Sequence, residues 1–195
     1  MFFEKKCFWR GNNPVTGLFA LCLLIESTLS YAETQQPLAA REYQVKAVFL
    51  YNFARLTTYP KLIFNKTDTP FHLCIAGEDP FQMKLDIAVR DAKIQDHPVV
   101  VQRLQESLAD VEHCEVLFIS LSEKEQFENI LRRARQYPIL TVSEIEDFVI
   151  RGGMIQFYNT EDNVRFLVDP ETITEAGLKA SSRFLEIAKI VRRDR

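Results

Sequence analysis

Short apolar segments that alternate with helix-forming stretches are the feature that most constrains the fold of this chain. Six segments of four to seven residues are rich in β-branched and aromatic side chains, as is typical of buried strands: residues 71–76, 98–104, 114–120, 139–142, 154–158 and 164–168. Strands alternating with helices predict a mostly parallel sheet covered on both faces. We therefore expect a three-layer α/β fold, Rossmann-like or flavodoxin-like.

The C-terminal part of the chain predicts a hairpin followed by a helix. A polar five-residue link, residues 159–163, separates the last two strands and predicts an antiparallel β-hairpin. Asp169-Pro170 then supplies an N-cap and a proline at the first helical position. The pattern predicts one long terminal helix with a single apolar face: Ile173, Ala176, Ala180, Phe184, Ile187 and Val191.

Helical signals also occur earlier in the chain. Residues 37–56 predict a helix that ends by Tyr59, because Pro60 disfavours the α region for the residue before it. Two Ser-x-x-Glu capping boxes, at Ser122 and Ser143, predict further helix starts. The inward face of the first helix is predicted to comprise Val45, Val48, Phe49, Phe53 and Leu56.

The N-terminus has the pattern of a secretory signal. Basic residues precede an apolar run of eight, Leu18 to Ile25, and Ser30-Tyr31-Ala32 forms a small-x-small cleavage site. The run is shorter than the roughly 20 residues that cross a membrane as a helix, and an uncleaved membrane anchor is the alternative. We expect residues 1–32 to be a cleaved signal peptide and residues 33–195 to form one periplasmic domain, a suitable length for a single core.

The charge balance argues against a nucleic-acid partner. Removing the leader takes away three basic and two acidic residues, which leaves 21 Lys and Arg against 25 Asp and Glu, a formal charge of −4. Nucleic-acid binding depends on clustered Lys and Arg that neutralise phosphates. The basic cluster at residues 192–195 lies at the C-terminal end, where it suits a helix C-terminus.

Two of the four cysteines, Cys74 and Cys114, remain after the leader is removed. In an oxidising compartment they can form a disulfide, and their two strands are plausible neighbours in the sheet. Two buried, reduced thiols are the alternative. A crosslink would close a loop of roughly 40 residues, for which the chain-entropy model gives about 4 kcal/mol of stabilisation.

No catalytic or metal-binding pattern is found in the sequence. His72, His97 and His113 lie in three different segments without metal-ligand spacing. Ser120 and Ser122 follow a strand but lack a nucleophile elbow. We therefore expect no catalytic residues, no metal and no cofactor.

Two sets of residues are candidates for binding. The turn at Gly77 follows a buried strand, where α/β sheets often bind ligands, and a small-molecule pocket near Asn52 and Gly77 is one hypothesis. Docking of a protein partner is the other. Its candidate interface comprises cations and an aromatic side chain in expected edge elements: Arg151, Arg165, Phe166 and Arg183.

Taken in order, the motifs of the mature chain resemble the YfiR family. The resemblance rests on six segments: AVFLYNFARLTTYP (47–60), LCIAGEDPF (73–81), CEVLFIS (114–120), ILTVSEI (139–145), RGGMIQF (151–157) and GLKASSRFLEIAKIV (177–191). Cys74 and Cys114 match the family's common cysteine pair. The second pair that some relatives carry around the GGM segment is missing, and Tyr59 replaces a common Trp.

The resemblance implies a periplasmic regulator without enzymatic activity that tends to form a homodimer. Such a protein represses an inner-membrane diguanylate cyclase by binding its periplasmic sensor domain, and so lowers cyclic di-GMP signalling. A lipidated, OmpA-like outer-membrane partner can sequester it.

Overall fold

The computed structural model describes residues 38–60, 69–104, 110–161 and 163–192. The expected signal peptide, residues 1–32, lies outside these ranges. The described helices are α1 Leu38–Arg55, α2 Met83–Ala88, α3 Phe127–Ala134, α4 Pro170–Glu175 and α5 Ser182–Glu186. The described strands are β1 Thr57–Thr58, β2 Phe71–Ala76, β3 Lys93–Ile94, β4 His97–Leu104, β5 Val116–Ile119, β6 Leu140–Ser143, β7 Ile155–Asn159, β8 Val164–Val168, β9 Lys179–Ala180 and β10 Lys189–Ile190.

Eight of these strands form one sheet in the order β10-β8-β7-β6-β5-β2-β4-β3. Strands β4, β2, β5, β6 and β7 are parallel, and β8 pairs antiparallel with β7. The predicted α/β class and the hairpin near the C-terminus are therefore confirmed. Numbered in chain order, the five parallel strands have the 2-1-3-4-5 arrangement of flavodoxin-like sheets.

Helices cover the two faces of the sheet unequally. On one face, α1, α2 and the C-terminal elements bury a large core that reaches across the central strands and on to Phe166 and Val168 of β8. On the other face, α3 buries a smaller core over β2 and β5. The chain thus forms three layers, and α1 lies in the more extensive of the two helical ones.

The inward face of α1 differs from the predicted one. Ala47, Leu50, Phe53 and Ala54 are buried, whereas Val45 is 43% and Val48 is 49% exposed. The two alanines have small side chains, so the helix can approach the sheet closely along that side. Periodicity alone does not show this, because Val45 and Val48 also follow helical spacing.

The predicted long terminal helix is wrong, because α4 ends at a glycine. Gly177 adopts a φ of +76°. Its N–H donates to the carbonyl of Thr174 (2.9 Å), and the N–H of Leu178 donates to that of Ile173 (3.1 Å), which is the Schellman arrangement of a helix C-terminus. The chain then forms β9, α5 and β10 in place of a continuous helix.

The start of α4 agrees with the sequence. The Asp169 side chain accepts hydrogen bonds from the N–H groups of Glu171 and Thr172, and Pro170 is the first helical residue. This is the predicted N-cap.

Neither predicted capping box starts a helix. Helix α3 begins at Phe127, beyond a short 3-10 turn at Leu121–Glu123. Ser143 ends β6, and its hydroxyl donates to the carbonyl of Ile119 (2.7 Å) and accepts from the N–H of Ile145 (3.0 Å). The Ser143 hydroxyl therefore bonds to the neighbouring strand β5 and within its own turn, and does not cap a helix.

Cys74 and Cys114 form a disulfide, with their Cα atoms 5.8 Å apart. Cys74 lies in β2, and Cys114 lies two residues before the adjacent strand β5. Both belong to the core beneath α3. The bond therefore joins β2 to the segment that leads into the adjacent strand β5.

We predict that reducing this disulfide lowers the free energy of unfolding by about 2–4 kcal/mol, because the unfolded chain regains the freedom of a 40-residue loop. Urea denaturation of oxidised and reduced protein would measure the difference. A Cys74→Ala/Cys114→Ala variant is the control, since its unfolding should not respond to the reductant. Equal midpoints for oxidised and reduced wild-type protein would contradict the prediction.

Candidate functional site

The loops at the usual ligand crevice of a flavodoxin-like sheet contact each other in this chain. That crevice lies at the carboxyl ends of β2 and β5, where the strand order reverses. Here the N–H of Glu78 donates to the hydroxyl of Ser122 at 2.9 Å. A Cβ added to Gly77 would lie 2.3 Å from the same hydroxyl oxygen. The loop after β5 therefore approaches the backbone at Gly77 closely through the side chains of Ser122 and Glu123.

Asn52 and Gly77 lie towards different edges of the sheet. Helix α1 begins at the carboxyl edge of the sheet, where the hydroxyl of Tyr43 reaches Glu144 just after β6. It runs towards the amino edge, where Tyr59 contacts Phe71 at the start of β2. Asn52 is nine residues beyond Tyr43, about 13 Å along the helix axis, so it lies away from the edge that holds Gly77.

A buried polar network occupies the carboxyl edge beneath the first turns of α1. The Lys46 ammonium forms ion pairs with the carboxylates of Glu42 and Glu144. The Tyr43 hydroxyl donates to Glu144 Oε1 at 2.8 Å, and the Lys46 Nζ atom lies 4.8 Å from the centre of the Tyr43 ring. The Lys46 side chain is only 2% exposed, so its charge depends on these partners.

The network also shifts acid–base equilibria. Burial, followed by the hydrogen bond to Glu144, raises the pKa of Tyr43, which keeps its hydroxyl protonated as a donor. For Glu42, burial favours the neutral acid, but hydrogen bonds from Asn159 and Lys46 outweigh it and lower the pKa. The carboxylate form of Glu42 is therefore favoured.

A cleft of about 620 Å³ lies between α1 and the β7–β8 hairpin, beside this network. The first turns of α1 form one wall and the loop between the two strands forms the other. It is lined by Arg41, Glu42, Val45, Phe49, Asn159, Thr160, Glu161, Asn163, Val164 and Arg165. This cleft lies at the carboxyl edge of the sheet, beside the end of β7. It is not at the point between β2 and β5, near Gly77, where the strand order reverses.

The solvent-facing side of α1 continues from this cleft, and we call it the outer stripe. It consists of Arg41, Gln44, Val45, Val48, Asn52 and Arg55. Its apolar centre forms a shallow groove of about 310 Å³ lined by Gln44, Val45, Val48 and Phe49. Val45 and Phe49 line both the groove and the cleft, so the two are continuous.

The four predicted interface residues lie in different environments. Phe166 is 4% exposed and packs against Phe53, with ring centres 4.7 Å apart, so its side chain belongs to the core. Arg165 is exposed beside the cleft. Arg151 pairs with Glu128 at 2.8 Å on the α3 side. Arg183 is exposed on α5. The structure does not bring the four together.

The double glycine near Arg151 has a packing role. A Cβ on Gly153 would lie 2.1 Å from the ring of Phe148, and Phe148 is fully buried. The segment before β7 therefore passes directly over an aromatic ring, which only glycine permits.

The described ranges contain neither a cluster of metal-ligating side chains nor a membrane-spanning helix. Residues 38–60, 69–104, 110–161 and 163–192 contain no cluster of three or more His, Cys, Asp or Glu side chains placed to hold a metal ion. Within the same ranges no helix is both long enough and apolar enough to cross a membrane.

Comparison with known families identifies the chain. A family model described as YfiR/HmsC-like matches residues 43–189, well over half of the 195 residues. The chain belongs to the YfiR/HmsC-like family. Membership implies a regulator of the YfiR type, from a family of non-catalytic regulators. A search of curated proteins finds no match to the chain.

Within this YfiR/HmsC-like domain, sequence reasoning missed the network and the outer stripe. Lys46 and Glu144 are 98 residues apart, so no local sequence pattern indicates that they form an ion pair. The signal for a buried charge is a lysine between apolar positions of the predicted helix. The outer stripe was missed because Val45 and Val48 were assigned to the core.

We predict that Glu144→Ala lowers the free energy of unfolding by about 3 kcal/mol, because it leaves the buried Lys46 ammonium with one carboxylate fewer. Tyr43→Phe should cost less, about 1–2 kcal/mol, since it removes one hydrogen bond to a charged group. Urea denaturation near neutral pH would measure both values.

Glu146→Ala is the matched control, because Glu146 is exposed and lies two residues away. Its effect should stay within about 0.5 kcal/mol. A Glu144→Ala variant as stable as Glu146→Ala would show that the network does not support the fold.

Proposed function

We propose that this protein is exported to the periplasm and represses an inner-membrane diguanylate cyclase by binding the periplasmic domain of that enzyme. Repression lowers cyclic di-GMP and with it surface attachment. In this proposal residues 1–32 are removed on export, and residues 33–195 form the mature domain. The observation that carries the proposal is the family match over residues 43–189.

The disulfide between Cys74 and Cys114 supports an oxidising compartment, because such bonds persist outside the reducing cytosol. The contact between the loops at Gly77, where flavodoxin-like sheets usually bind ligands, favours regulation through the protein surface over turnover in an active site. We further propose that the domain forms a homodimer and that an OmpA-like outer-membrane lipoprotein sequesters it when repression is lifted.

A second candidate is a periplasmic module that binds a small molecule. The cleft between α1 and the β7–β8 hairpin favours it, since about 620 Å³ lies within the range of ligand sites. A metabolite that raises the melting temperature of the wild-type protein, but not that of a Val45→Trp variant whose larger side chain occupies the cleft, would support this function.

We predict that deleting the gene raises cellular cyclic di-GMP and surface attachment, since a repressor is lost. Full-length protein supplied in trans should restore both, whereas a version that lacks residues 2–32 should not, because it stays in the cytosol. Mass spectrometry of cyclic di-GMP extracts and an attachment assay would measure the effect.

Deleting the cyclase as well should return cyclic di-GMP to a low level, which serves as the control for the pathway. Unchanged cyclic di-GMP in the single deletion would refute repression. Recovery of the complementing protein with its N-terminus intact would refute cleavage of the leader.

A further inference from the structure

The outer stripe of α1 has the composition of a docking surface. Val45 and Val48 are 43% and 49% exposed at its centre, and they line a concave groove with Gln44 and Phe49. Concave apolar surface at the centre of a polar rim is typical of the part of an interface that contributes most to affinity.

The charges on this face have one sign. Arg41 and Arg55 are exposed at the two ends of the outer stripe, and its other members, Gln44, Val45, Val48 and Asn52, are uncharged. The one acidic residue of α1, Glu42, lies to the side and is ion-paired with Lys46. A partner that complements the stripe therefore carries carboxylates near both ends and apolar side chains between them.

The same charges argue against a symmetric pairing of two copies through this face. Arg41 and Arg55 each lie seven positions from Val48, so a two-fold axis at Val48 with antiparallel helices would place Arg41 of one copy beside Arg55 of the other. Like charges brought together across an interface oppose association. An acidic partner meets no such repulsion.

The extent of the surface favours a protein segment over a small molecule. Residues 41 and 55 are separated by 14 positions, about 21 Å along a helix. A compact metabolite in the neighbouring cleft would not span that distance, whereas a peptide segment of a folded domain does.

We infer that the outer stripe binds a segment of the membrane partner's periplasmic domain that has apolar side chains flanked by carboxylates about 21 Å apart. This inference rests on the proposed function for the identity of the partner. The adjoining cleft is lined by Glu161 as well as Arg165, so the uniformly positive surface is that of the outer stripe itself.

Photo-crosslinking in the native bacterium tests where the partner docks. Benzoylphenylalanine placed at position 48 should yield an adduct with a membrane diguanylate cyclase, identified by mass spectrometry. The same probe at position 100 is the matched control, because Val100 is a valine of similar exposure (43%) on β4. It should yield no such adduct. An adduct with a second copy of this chain alone, or none at position 48, would overturn the inference.

Charge reversal tests how the partner is recognised. Arg41→Glu/Arg55→Glu should weaken binding of the purified mature protein to the immobilised periplasmic domain of the crosslinked cyclase at least about tenfold. Lys124→Glu/Arg132→Glu, which changes net charge equally at exposed sites before and within α3, should leave binding unchanged. Equal binding by both variants would overturn the charge recognition.

Cyclic di-GMP measured in the same strains separates this inference from the proposed function. If the gene deletion raises cyclic di-GMP but the Arg41→Glu/Arg55→Glu variant, present at wild-type level, represses normally, the repressor function holds and the docking surface is wrong. If the deletion has no effect but position 48 crosslinks to a cyclase, the surface holds and repression is wrong.

Discussion

The packing of α1 across the parallel sheet is the interaction on which the rest of the structure depends. Phe53 lies at its centre, with its ring 5.5 Å from that of Phe157, 4.7 Å from that of Phe166 and 5.1 Å from that of Phe184. These rings come from β7, β8 and α5, so one side chain connects the first helix to both strands of the hairpin and to the C-terminal region. Aromatic contacts of this kind combine large apolar burial with a preferred orientation.

This packing explains why a charged side chain is buried. Helix α1 must place one whole face on the sheet, and Lys46 lies on that face beside Ala47 and Leu50. Burial without partners would remove a charge from water at a cost of several kcal/mol. Glu42 comes from the same helix, and Glu144 follows β6. The ion pairs therefore fix the position of α1 over the carboxyl edge of the sheet.

Sequence patterns predicted what is determined locally and failed where distant contacts decide. The strand β2 and the Asp169 cap were predictable because apolar runs and an Asp-Pro pair act on their own neighbours. Gly177 is also a local signal, because glycine often ends a helix. The apolar spacing continues beyond it, however, and favours a longer helix. The role of Ser122 cannot be predicted from its neighbours in sequence, because its hydroxyl accepts a hydrogen bond from the N–H of Glu78, 44 residues away. The candidate site depends even more than the fold on residues that are far apart in sequence, such as Lys46 and Glu144.

The outer stripe is positively charged, whereas the net charge of the chain is negative. This difference bears on how a regulator of this kind achieves specificity. The chain has a formal charge of −3, so its net charge does not attract an acidic partner. A face with exposed cations attracts such a partner locally, because salt screens surface charges beyond about 8 Å. In the inferred docking, the sign of the charge selects the outer stripe before apolar contact stabilises the complex.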